Sequence, residues 1–238
     1  MNTLHIKFPD AWPGWKIREC KLTSVLDSGS DTHSSVSDDS SALVETAVVT
    51  VDPKALSDYY SDSPVFRGHL QQPRRPWERA SVALKFAMRG DLIGHLIEET
   101  ELYLGPLEPL QGSTVPRCHG LYIGTADDEE IACLVLEYCG DPLQKPFRQL
   151  PMDLRVCILA HLGEIHRHGL LHGDFAERNV LQSNGDVRII DFDQAVGEHR
   201  CQCKMDFRPG QTSPEQAAFG CEHLWRISRH VMRIWGNT

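Results

Sequence analysis

Two polar clusters, set one predicted hairpin apart, constrain this chain more than any other feature. His172-Gly173-Asp174 is followed by Asn179 and the apolar pair Val180-Leu181, and then by Ile189-Ile190-Asp191-Phe192-Asp193. Between them, Ser183-Asn184-Gly185-Asp186 forms a turn joining short strands predicted over 179–182 and 187–190, since Asn-Gly suits a tight two-strand connection. The hairpin thus carries an Asn at its entrance and an Asp at its exit, with a His and an Asp on the loop leading in. A solvent-exposed turn after a helix accounts for the first cluster alone. It does not account for a carboxylate at the end of the apolar strand that follows.

Upstream, residues 43–51 are rich in Val, Ala and Thr and read as a strand, 64–70 as a second and 81–87 as a third,. Over 93–104, Ile93, Leu96, Ile97, Tyr103 and Leu104 recur at helical spacing,. Two further strand-like runs, 121–124 and 131–138, flank an acidic turn at 127–130. Beyond them, Leu154, Cys157, Ile158, Leu162 and Ile165 predict a helix over 153–168 with Gly169 as its stop,. Residues 214–235 read as a final helix. The expected class is α+β. Residues 27–42 are Ser and Asp almost throughout, without Lys or Arg, and read as a flexible linker,. The preceding segment, 1–26, with Trp12 and Trp15, is expected to pack as an N-terminal extension.

With 238 residues, 41% of them hydrophobic, the chain can bury a core for one large domain or two small lobes,. Its net charge of -9 offers no attraction for nucleic-acid phosphates or an anionic membrane surface, so neither is expected as a partner,. No apolar run approaches the roughly 20 residues of a spanning helix. The first residues lack the continuous apolar stretch of a secretory signal, so an intracellular location, cytoplasmic or nuclear, is expected. Eight irregularly spaced cysteines predict no disulfide framework,. Cys201-x-Cys203, near His199, lacks the two-residue gap and second ligand pair of a zinc motif and reads as a loop,.

Phosphoryl transfer asks a protein for a cation on the nucleotide phosphates, an acid fixing that cation, ligands for magnesium, and a carboxylate near the attacking hydroxyl. Val82-Ala83-Leu84-Lys85 has the form of a strand presenting an ammonium group. Asp174 is placed to accept the hydroxyl proton, Asn179 to offer its side-chain carbonyl to magnesium, and Asp191 to offer a carboxylate to the same metal,. ATP and magnesium are therefore the expected ligands.

Taken in order, V-A-L-K, H-G-D-x-x-x-x-N and D-F-D make the chain resemble the protein-kinase-like superfamily from about residue 65 onward, and most of all its short, divergent fungal-type members,. The resemblance implies a two-lobed fold: a β-rich N-lobe over 43–136, a hinge over 137–140 and a short, mainly α C-lobe over 141–238. ATP would lie between the lobes, its adenine edge on the backbone of Glu137, Tyr138 and Cys139. It also implies a Glu on the 93–104 helix as partner to Lys85. At about 100° per residue, Glu99 lies nearest the centre of the apolar stripe, Glu101 slightly farther and Glu98 nearly opposite. Glu99 is the expected partner, with Glu101 in reserve.

The chain also departs from the superfamily pattern. No G-x-G-x-x-G precedes Lys85, since residues 61–68 hold a single Gly, which predicts a weak nucleotide grip. Gly173 replaces the Arg of H-R-D, removing the clamp to a phosphorylated activation loop,. Ala176 stands where many serine/threonine kinases carry a phosphate-facing Lys, and Arg178 is the expected substitute. Asp193, with H-G-D, resembles aminoglycoside and choline kinase-like enzymes. Ser213-Pro214-Glu215 stands for A-P-E with one helix after it, so the C-lobe reads as truncated. The expected activity is ATP-dependent phosphoryl transfer to a Ser, Thr or Tyr hydroxyl of a protein. The alternatives are a small-molecule hydroxyl acceptor or a pseudokinase scaffold.

Overall fold

The computed structural model describes residues 2–8, 17–25, 45–57 and 63–236. The predicted linker at 27–42, Trp12, Trp15, Ser61 and Asp62 lie outside the described residues. The chain divides into two compact units, Met1–Glu101 with Arg117–Tyr138, and Leu102–Pro116 with Cys139–Thr238.

Among the described residues, the first unit is a closed barrel of seven strands: β1 (Thr3–Lys7), β2 (Glu19–Ser24), β3 (Thr46–Ala55), β4 (Val65–Gln72), β5 (Arg75–Ala87), β6 (Cys118–Ala126) and β7 (Glu129–Glu137). Their order around the barrel is β1-β2-β6-β7-β5-β4-β3, and helix α1 (Gly90–Leu104) connects β5 to β6. Strand periodicity explains the core. Along β4 every second residue is buried, Phe66 and Leu70 among them, which follows from side chains alternating between the two faces. Leu4, Ile6, Leu22, Val49, Leu84 and Phe86 belong to the same cluster and are fully buried, each contributing about 1.5–3 kcal/mol of transfer free energy. β7 departs from alternation. Its residues Ile131 to Leu136 are all buried, the pattern of a strand covered on both faces.

The N-terminal segments are more than an extension. β2 pairs antiparallel with β6, Thr23 opposite Ile123, and β1 runs parallel to β3, Ile6 opposite Val49, which closes the barrel. The alternation of Leu4 with Ile6 and of Cys20 with Leu22 leaves each of these strands one apolar face to bury,.

The second unit holds α2 (Met152–Arg167), a three-stranded sheet of β8 (Asp141–Pro142), β9 (Val180–Ser183) and β10 (Asp186–Ile189) in the order β10-β9-β8, and the short helices α3 (Gln216–Phe219) and α4 (Glu222–Arg226). α2 buries Ile158, Leu159, Leu162 and Ile165 along one stripe,. Asn184 and Gly185, both at positive φ, make the predicted turn between β9 and β10,. Residues 102–116 belong with this unit. The Tyr103 ring meets Phe192 edge-on at 5.7 Å, Ile189 N–H donates to Thr114 O at 2.9 Å, and Arg188 Nη2 donates to Gly112 O at 2.8 Å.

The helix expected over 214–235 is broken into α3, α4 and a π-helical turn, Ile227–Val231. Gly220 at φ +83 ends α3 in a left-handed residue,. The indole N–H groups of Trp225 and Trp235 donate to Pro214 O and Phe207 O, which fixes the turns around the break. The architecture is α+β, strand-rich in the first unit and mainly helical in the regular structure of the second. Among the described residues, no helix is long and apolar enough to cross a membrane.

Candidate active site

In the first unit, β5 turns Val82, Leu84 and Phe86 into the core, so alternation sends Lys85 to the other face, where its side chain is 16% exposed,. There its Nζ donates to Glu99 Oε2 at 2.8 Å. Glu99 is 1% exposed, whereas Glu98 and Glu101 lie on the exposed side of α1. Helix phase therefore selects the acid, as the residue spacing predicts. A carboxylate buried this deeply persists because an opposite charge compensates the loss of water.

At the end of β7, the Glu137 carboxylate accepts from the Arg117 amide at 3.1 Å and from Arg117 Nη1 at 3.2 Å. The Glu137 and Tyr138 amides donate to Arg117 O and Ser81 O, and the Arg67 guanidinium stacks 4.4 Å from the Tyr138 ring centroid. The chain returns to the second unit at Cys139, whose thiol is partly exposed.

In the second unit the loop between α2 and β9 gathers most of the remaining expected residues. His172 is 2% exposed and its ring Nε2–H donates to Ile190 O at 2.9 Å. Burial depresses its pKa, so the ring is held neutral. Gly173 takes φ +78. Asp174 receives Arg178 Nη2 on both carboxylate oxygens, at 2.6 Å to Oδ1. Asn179 Nδ2 donates to Asp174 O at 2.8 Å and to its Oδ2 at 3.2 Å. The Arg178 hydrogen bond is the main cause of a lowered Asp174 pKa, so the carboxylate is ionised at neutral pH. The amide nitrogen of Asn179 thus serves Asp174, and its Oδ1 is the side-chain oxygen that could accept or coordinate,.

Both backbone groups of Ile190 are held by this loop: its N–H donates to Asn179 O at 3.0 Å and its carbonyl accepts from His172. Asp191 follows at φ +69, a left-handed conformation for a non-glycine residue of the kind that concentrates at functional sites,. The buried Phe192 then packs against His172, ring centroids 5.0 Å apart. Asp174, Asn179 and Asp191 thus sit on one hydrogen-bonded assembly. One bracing residue, Phe147, lies beyond what the motifs reveal. Phe147 stacks on Phe175 at 5.1 Å with the rings 6° from parallel, and the Phe147 amide donates to Glu177 Oε1 at 2.8 Å. Phe147 and Glu177 are thirty residues apart, with no local pattern linking them.

A barrel-strand Lys paired with a buried helix Glu, and a second unit whose loop joins an Asp and an Asn to a strand-end Asp, define a protein-kinase-like architecture. Part of the chain is similar to members of the protein-kinase-like superfamily. Residues 132–206, which contain the whole Asp174–Asp191 assembly, match the RIO domain family. The KEOPS complex subunit Bud32 of Pyrococcus abyssi (strain GE5 / Orsay) is 34% identical over 70 residues, covering 27% of this chain and 32% of that protein. The match spans about a third of the relative's length.

Proposed function

We propose that the chain is a phosphotransferase that uses ATP with magnesium to phosphorylate a hydroxyl group. The observation that carries this reading is the hydrogen-bonded assembly of Asp174, Asn179 and Asp191, knit through both backbone groups of Ile190. Asn179 and Asp191 present an amide oxygen and a carboxylate, the hard oxygen donors that suit magnesium. Bound ATP with magnesium would supply the phosphoryl group and neutralise the charge it carries. Lys85, oriented by Glu99, takes the nucleotide phosphates. The backbone of the 137–139 stretch, Glu137, Tyr138 and Cys139, takes the adenine edge. Asp174, kept ionised by Arg178, orients the acceptor hydroxyl and receives its proton.

Arg178 serves Asp174 in this scheme, and contact with phosphate requires it to leave that carboxylate. The acceptor is a protein Ser, Thr or Tyr hydroxyl. Asp193, exposed two residues after Asp191, favours a small-molecule hydroxyl as the second reading.

Two measurements decide the matter. ATP with magnesium should raise the melting temperature, the stabilisation reaching about 2.7 kcal/mol at a hundredfold excess over Kd, and Lys85→Ala and Asp191→Ala should each weaken the shift. Transfer of labelled phosphate to protein substrates, aminoalcohols or sugars should fall by about 10²–10⁴ in Asp174→Asn. Absence of any shift at millimolar ATP, or transfer undiminished in Asp174→Asn, would overturn the proposal.

A further inference from the structure

We infer that the second unit carries a structural zinc site built from His166, His199, Cys201 and Cys221, separate from the residues assigned to phosphoryl transfer. Their four ligand atoms all lie within 4.8 Å of one another. Cys221 Sγ is 3.5 Å from His166 Nδ1 and 3.5 Å from His199 Nε2. A tetrahedral zinc with Zn–S of about 2.3 Å and Zn–N of about 2.0–2.1 Å sets neighbouring S and N vertices roughly 3.5 Å apart. Two edges of the tetrahedron therefore already have the length the metal requires. The imidazoles of His166 and His199 stand 74° apart in plane with centroids 4.9 Å apart, so their nitrogens converge on the sulfur.

The competing explanation is a hydrogen-bonded cluster of thiols and imidazoles. Thiols are weak donors and weak acceptors, and such bonds give little reason to bring two of them together with two imidazoles. A mixed nitrogen and sulfur set suits zinc over the hard cations that oxygen donors select. Four protein ligands leave no open position, which marks the site as structural rather than catalytic. His166 is 1% exposed, so its ring is held in the interior beside the two sulfurs.

The ligands come from three separate places: the penultimate residue of α2, the irregular stretch after β10, and the residue capping the start of α4. Backbone contacts bring them together. His199 N–H donates to Gly169 O at 2.9 Å and Gln202 N–H donates to Gly220 O at 3.0 Å. Gly220 allows that approach, because a Cβ there would sit 2.5 Å from Gln202 O. The need is plain from the secondary structure. α3 and α4 have four and five residues, and no helix or named strand lies between β10 and α3. A metal cross-link supplies folding free energy to such a region directly. A cavity of about 530 Å³ lined by His199, Gly220, Cys221 and His223 offers an entry path.

The site also explains why the Cys201-x-Cys203 pair looks unlike a zinc motif. Cys203 is not the partner of Cys201, since its sulfur accepts from the Met205 amide and its carbonyl from Arg167. The second thiol is Cys221, beyond the Ser213-Pro214-Glu215 segment.

The test uses the full chain, untagged and purified without chelator, with its metal content measured by elemental mass spectrometry. About one zinc per chain is expected, with cobalt(II) substitution giving thiolate charge-transfer absorption. Cys201→Ser and Cys221→Ser should lose the metal, while Cys157→Ser and the phosphoryl-transfer variant Asp191→Ala keep it. Should the cysteine variants fail to fold, chelator-stripped wild-type chain titrated with zinc supplies the answer, a restored melting temperature being the expected result. Zinc absent as purified and not taken up by the stripped chain would overturn the proposal. So would zinc retained by both cysteine variants, or a Cys201–Cys221 disulfide recovered from a metal-free chain.

Discussion

Gly173 shows how a single residue can be dictated by backbone shape. Its φ of +78 lies in the left-handed region, and a Cβ there would stand 1.9 Å from Gln194 O. The glycine in H-G-D therefore does more than remove an activation-loop clamp, because the loop as folded has no space for the arginine of H-R-D. Gly173→Arg should destabilise the fold by at least about 2 kcal/mol, the left-handed penalty of roughly 1–2 kcal/mol plus the steric overlap. Urea denaturation checks this, and a variant as stable as the parent would mean that the loop can adopt another path. At this scale the pairing of Lys85 with Glu99 is legible in the sequence, because one strand period and one helix phase decide it. The bond from Arg178 to Asp174 is not, since an exposed guanidinium has several partners within reach of its long stem.

At the scale of elements, the α2–β9 loop owes its shape to a 3-10 turn, Phe147–Gln149, distant in sequence. Phe147 is 1% exposed, stacks on Phe175 and donates its amide to Glu177. Phe147→Ala removes that stacked ring from a closed environment and should cost about 3–5 kcal/mol, the usual range for a buried aromatic. Equilibrium denaturation measures it, and a loss under about 1 kcal/mol would show that the turn does not brace the loop. Element boundaries were legible where periodicity runs unbroken. The spacing predicts a helix over 153–168 and α2 spans Met152–Arg167. It also predicts one helix over 214–235, where the structure has three short pieces, because Gly220 interrupts the axis without interrupting the recurrence of apolar residues.

At the scale of the whole molecule, stability should depend on pH through imidazoles that folding keeps neutral. His161 on α2 bonds Thr114 Oγ1 through Nδ1 at 2.9 Å, joining the helix to the 102–116 segment. Burial, then the Arg188 charge, lowers its pKa below the ordinary value. The unfolded chain therefore binds more protons than the folded one on the acid side. The contribution is fully present above about pH 6.5 and is lost as pH falls toward the lower folded value. His161→Gln should flatten the decline in urea midpoint between about pH 7 and pH 5, and an unchanged slope would remove His161 from the account. The order of V-A-L-K, H-G-D-x-x-x-x-N and D-F-D, the Asn-Gly hairpin and the phase of α1 were properties of the sequence by itself, because each rests on spacing within a few residues. Barrel closure by the parallel pairing of β1 with β3, the bracing by Phe147 and the meeting of His166, His199, Cys201 and Cys221 were decided only by tertiary structure. Each joins segments far apart along the chain, and the partner of such a segment is chosen by which surfaces remain to be buried once the local elements have formed.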